Sequence, residues 1–170
     1  MTQNYHEKVY EFIELMTDDE ALQSIEADNG VQLQFVFRCE KNNAIAQAVV
    51  PVPPDITDDR AKKEKFMKQI FPKIKEEVKN NVDEIICIAM ISEVWKSVDE
   101  SLLNSNAPLN ETNSEEMIMM SFHFKGMHVD YLYPVIRIGG QMKISRTPIV
   151  KQTAYGKDEY VGRFSELYTF

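Results

Sequence analysis

Residues 85–91, Ile85-Ile86-Cys87-Ile88-Ala89-Met90-Ile91, are seven apolar side chains in a row, and Ser92-Glu93-Val94-Trp95-Lys96 follows without a break. Read as a strand, with side chains alternating between two faces, the stretch puts Ile85, Cys87, Ala89, Ile91, Glu93 and Trp95 on one side. Ile86, Ile88, Met90, Ser92 and Val94 fall on the other. Both faces are apolar as far as position 91, the pattern of a central strand covered on two sides. Such a strand needs neighbours to pair with and other elements to cover it.

Working outward, the preceding residues supply one cover. Phe66, Met67, Ile70, Phe71, Ile74 and Val78 recur at helical spacing, with lysines mostly off that stripe. Thr57, Asp58 and Asp59 offer a cap and first-turn acids, so a helix over 58–80 is expected, kinked where Pro72 removes a backbone donor. Further back, Leu33, Phe35 and Phe37 alternate with Gln32, Gln34 and Arg38. This strand and the run from Ala44 to Val52 form a hairpin about Glu40-Lys41-Asn42-Asn43, and Pro51, Pro53 and Pro54 end the pairing. At the start, Tyr5, Val9, Phe12, Ile13 and Met16 mark one helix. Thr17-Asp18-Asp19-Glu20 matches a capping box that opens a second helix, which ends at Asp28-Asn29-Gly30.

Beyond the central strand, residues 97–115 are rich in Ser, Asn and Glu and read as a flexible loop or lid. A second hairpin follows, with Lys125-Gly126 at its turn. Ile118, Met120, Phe122, Phe124, Met127, Val129, Tyr131, Tyr133 and Val135 share its buried face. A short strand over 141–147 is expected after Gly139-Gly140, and residues 148–170 form a polar tail dotted with aromatics.

This order of elements resembles a loosely defined family of small uncharacterised bacterial and phage proteins, in which a strand closes on a Ser-Glu-Ala-Trp-like signature. Here the signature is Ser92-Glu93-Val94-Trp95, with Val in place of Ala, followed by a hairpin over Met117–Ile138 and an Ile136-Arg137-Ile138 element. The resemblance spans residues 31–145, and implies an α+β fold and a bacterial or phage setting. It implies no mechanism.

Charge and cysteine usage narrow the function classes. A net charge of −8 disfavours broad contact with phosphate backbones or anionic membranes, so nucleic-acid and membrane partners are not expected. The first residues contain neither a basic stretch nor the apolar core of a secretory leader, and no apolar run is long enough to span a bilayer. Cys39 and Cys87 lie in strand-like stretches with no CxxC partner, and read as buried thiols of a reducing cytoplasm.

Three sets of residues are candidates for a site. Glu93 and Trp95 end the central strand. If the 58–80 helix is a crossover to a parallel neighbour, they lie where α/β sheets place sites, and Glu93 beside an indole would suit acid–base work. The plain alternative is a carboxylate that surfaces and a tryptophan covering the rim. Secondly, a two-residue turn at Lys125-Gly126 would set His123 opposite His128, with Asp130 on the same face, whereas a four-residue loop would pair His123 with Asp130 instead. Two imidazoles and a carboxylate are a donor set for a divalent metal, and with Glu93 as base they would make a metal-dependent hydrolase. The alternative is an outward polar face on a half-exposed hairpin. Thirdly, Tyr160, Phe164 and Tyr168 are in helical phase and suit either a docking arm or packing on the same domain. There is no phosphate-binding glycine loop and no nucleophile elbow.

The expectation is a single α+β domain over 1–170: N-terminal helices in 1–30, a core of 31–147, and a mixed or mostly antiparallel sheet of five to six strands. The expected activity is non-enzymatic, through protein contacts or self-association and without a cofactor, the divalent-metal hydrolase being the alternative.

Overall fold

A computed structural model describes residues 4–97 and 114–154. Its centre is the stretch quoted above, a strand β3 (Glu84–Ser97) that pairs antiparallel with β1 (Gln34–Lys41) on one side and β4 (Ser114–Phe124) on the other. Beyond β1 lies β2 (Ala44–Pro51), and beyond β4 lies β5 (Met127–Ile138). The far edge of β5 is shared by β6 (Gln141–Ile144) and β7 (Ile149–Ala154). The order is β2-β1-β3-β4-β5-β6 with β7 also on β5, a seven-stranded sheet that adds β7 to the expected strands. Every pairing is antiparallel, so β3 has no parallel neighbour and the strand-end argument for a site at Glu93 does not apply.

Helices cover both faces, as the two-sided apolarity of β3 requires. Helices α1 (Tyr5–Thr17) and α2 (Asp19–Ala27) lie on one face. Val9, Phe12, Ile13 and Leu22 there join Val36, Cys87, Ala89, Ile91, Ile118, Met120 and Phe122 in one core. On the other face a short α3 (Pro54–Thr57) leads into α4 (Arg60–Lys65) and α5 (Phe71–Asn81). Phe66, Met67 and Phe71 pack there on Leu33, Phe35, Phe37, Ile88 and Met90.

Two helix starts differ from the expected ones. Thr17 closes α1, its hydroxyl donating back to the Ile13 carbonyl, while Asp18 caps α2 by accepting from the Ala21 amide. Likewise Asp59, rather than Thr57, caps α4, so the long helix begins at Arg60. Its bend is a π turn, Phe66–Ile70, in which the Phe71 amide reaches back to the Phe66 carbonyl. Pro72 has no N–H to continue the ladder, and the wider turn absorbs the loss without turning the apolar stripe off the sheet.

The alternation of β3 is also broken once. Arg38 pairs with Cys87 but Cys39 pairs with Ile85, so Ile86 is an extra, bulged residue. Ile86 and Cys87 therefore both enter the α1 side, while Ile85 moves to the α5 side. The Ile86 carbonyl accepts from the Tyr5 hydroxyl at 2.7 Å, and the Tyr5 hydroxyl oxygen in turn accepts from the Lys125 amide at 2.9 Å. Burial pushes the Tyr5 phenol up to about 12, so it remains a donor at any ordinary pH.

Cys39 and Cys87 are free and buried. Among the described residues no helix is long and apolar enough to cross a membrane. The expected loop of 97–115 shrinks at both ends, since Ser97 and Ser114 pair as the last rung of β3 and β4. Residues 98–113 lie outside the described residues, as do Tyr160, Phe164 and Tyr168 of the expected tail.

Candidate functional site

The β4–β5 hairpin has a two-residue turn, and His123 faces His128 with near-parallel rings whose centroids lie 5.3 Å apart. The face they occupy is not outward. His123 is 2% and His128 0% exposed, with Ser121 buried beside them. Cross-strand neighbours Ile88 and Met90 place this face on the α5 side of the sheet. Asp130 bridges the group: Oδ1 accepts from the Ser121 hydroxyl and Oδ2 lies 3.1 Å from His128 Nε2. Ser121 Oγ is in turn 2.9 Å from His123 Nε2.

This chain of contacts decides what the group can do. Ser121 has one proton, and it goes to the Asp130 carboxylate. His123 must therefore donate its Nε2–H to Ser121, the tautomer opposite to that of a general base acting on a serine. Burial, then the neighbouring His128 and the Lys75 ammonium of α5, hold the His123 pKa down at about 3, so its ring is neutral. Burial works to raise the Asp130 pKa, but the bonds from His128 and Ser121 outweigh it and the carboxyl stays below its usual range. The carboxylate oxygens are thus turned onto Ser121 and His128. Among the described residues no set of three or more His, Cys, Asp or Glu is arranged to hold a metal ion.

Glu93 lies on the opposite side of the sheet from the histidines, since it pairs with Ile118 of the α1-side core. Its Oε1 accepts from the Val31 amide at 2.9 Å and rests against Gly30, whose φ is 151°. A Cβ on Gly30 would enter the van der Waals shell of that oxygen. Glu93 therefore ties the α2–β1 turn to the sheet. Gly30→Ala is expected to destabilise the fold by about 2–3 kcal/mol, from left-handed strain and the displaced bond. In a Glu93→Ala background the cost should shrink by about 1 kcal/mol, because the clash is gone. Chemical denaturation of the four proteins checks this, and strictly additive costs would contradict the contact.

Trp95 is 41% exposed and borders, with Glu93 and Val94, a cleft of about 800 Å³ against α3 and α4. Arg60, Lys63 and Lys68 on its wall are matched by Asp58, Glu64 and Glu93.

The third place is one the sequence reading passed over. Asn42 and Asn43 both have left-handed φ, 52° and 61°, and form the two-residue turn between β1 and β2. The residues flanking such a turn, Lys41 and Ala44, exchange backbone bonds, and the exchange then recurs at every second pair. It continues past the strand end, where the Val52 amide donates to the Leu33 carbonyl at 2.8 Å. Ile45, Gln47 and Val49 therefore point their N–H and C=O groups away from β1, where no described strand meets them. Val49 is 56% and Ile45 39% exposed. Strand β2 carries no charged residue, whereas the opposite sheet edge has Lys143 on β6 and Lys151 on β7. Lysine on an edge strand blocks pairing with other chains, and β2 has no such guard.

No family model matches the chain, and no curated protein or solved structure shows significant similarity to it.

The structure thus brings His123, His128 and Asp130 together with Ser121, in a closed interior. It keeps Glu93 apart from them and leaves Trp95 on an open cleft wall. The missed edge had a signal: Ala44 to Val50 contains no charge, and Pro51, Pro53 and Pro54 are residues that central strands do not accommodate.

Proposed function

We propose that the chain is a non-enzymatic interaction protein that engages other protein chains by strand addition along β2. The observation that carries this reading is the uncharged outer edge of β2, which no described strand meets, with Ile45 and Val49 exposed beside it. Strand addition draws affinity from main-chain bonds and specificity from alternate side chains, and β2 presents both. The polar groups with catalytic chemistry argue in the same direction: Ser121, His123 and His128 are buried, and Glu93 is engaged by a backbone amide. A cytoplasmic setting belongs to the reading, in keeping with the two free thiols.

The test is a comparison of partner proteins recovered in its own cells with the natural chain and with Val49→Lys. A lysine on the edge should strip the bound partners at unchanged stability, because Val49 lies outside both cores. An identical partner set would refute the assignment of β2.

A further inference from the structure

The edge of β2 is self-complementary, and we infer that its partner is a second copy of this chain, paired antiparallel across a two-fold axis at Gln47. This rests on the reading of β2 as an interaction edge and adds the identity of the occupant. The outward-facing set is Ile45, Gln47 and Val49, symmetric about Gln47. Antiparallel pairing about that centre sets Gln47 against the partner's Gln47, and Ile45 against the partner's Val49. Each facing pair is then of the type that exchanges both backbone bonds. The same register puts an Ile–Val contact on either side of the central glutamines, an apolar cross-strand pair of the stabilising kind.

Two further features fit this occupant. Pro51 has no N–H to give, and in this register it falls opposite the partner's Asn43, in the turn, where the ladder has already ended. A chain of net charge −8 repels its own copy, so a self-contact is best placed on a neutral strand. Strand β2 meets that condition, while β6 and β7 each carry a lysine. The contact is isologous and closes at two copies, because the opposite edge offers no matching strand. Strand–strand contact alone lies below the ~1,200 Å² of a standard interface, so the dimer forms reversibly with rising concentration.

Sedimentation equilibrium from micromolar to near-millimolar protein, joined to a spin-label distance, tests this. Labels at Lys41→Cys should lie roughly 25 Å apart between Cα atoms, from six residue rises along the strands and three interstrand spacings across them. The native thiols are buried and leave the label specific. Val49→Lys and Gln47→Pro should each give a monomer with unchanged circular dichroism. Ile70→Lys, an exposed position on the π turn, should still dimerise. A dimer that survives both β2 variants, or a clearly different label distance, overturns the proposal. A monomer at every concentration also overturns it. If Val49→Lys nevertheless strips partners from the natural chain in cells, the strand-edge reading stands with a different occupant. If it does not, both fall.

Discussion

Replacing Phe71 by alanine is expected to lower the free energy of unfolding by about 3–5 kcal/mol. Phe71 is fully buried where the π turn hands over to α5, its ring centroid 4.4 Å from that of Phe35 and 5.9 Å from that of Phe37. With Phe66 and Met67 it seats the long helix on β1, so its removal opens a cavity between two packed layers. Urea denaturation followed by circular dichroism checks the figure. A loss under about 1 kcal/mol would mean that α5 is not seated on β1 as described. Paired with Phe35→Ala, the two losses should fall short of additive, since the second truncation removes a partner already gone.

The second large effect is acid sensitivity. An unfolded histidine titrates near 6.5, whereas His123 in the folded chain is held down at about 3 by burial and by its neighbours His128 and Lys75. Between these values the unfolded state binds a proton that the folded state refuses, so stability rises with pH across that window. The contribution is complete above about pH 6.5 and is lost as the pH falls towards 3, for a total on the order of a few kcal/mol. The lowered Asp130 carboxyl acts with the same sign at the acid end, its stabilisation fading as the pH falls through its own range. Unfolding free energies measured from pH 7 to pH 3 should show the decline. His123→Gln should flatten its slope by roughly 1 kcal/mol per pH unit. An unchanged slope would show that His123 takes up its proton equally in the folded and unfolded chain.

How much of this was legible depended on whether neighbouring residues sufficed. Lys125-Gly126 narrowed the hairpin to two registers, and the two-residue turn that forms is the one that sets His123 against His128. That the pair is interior does not follow, since burial depends on what packs over that face from distant parts of the chain. The two-sided burial of β3 was written in its composition, but its direction was not: a helix over 58–80 fits a parallel crossover as well as an antiparallel return, and the chain returns antiparallel on both sides. Thr17 carried a capping-box pattern, yet Asp18, one residue on, supplies the oxygen that reaches the first turn of α2. Glu93 was visible as a carboxylate after an apolar run. Its bond to Val31 bridges 62 positions and had no local sign.

The bulge at Ile86 gives β3 one place where the length of the strand is decoupled from its phase. Removing a residue anywhere else between 87 and 95 would invert every side chain on one side of the cut, exchanging the lining of the two cores. Deleting Ile86 would instead leave Ile85 opposite Cys39 and Cys87 opposite Arg38, as they already stand. The ladder would simply become regular, with one isoleucine fewer beneath α1 and no bulged carbonyl for Tyr5 to hold. The extra residue is thus a splice point in the chain, where a one-residue edit is read as a local loss of contact and not as a frameshift of the sheet.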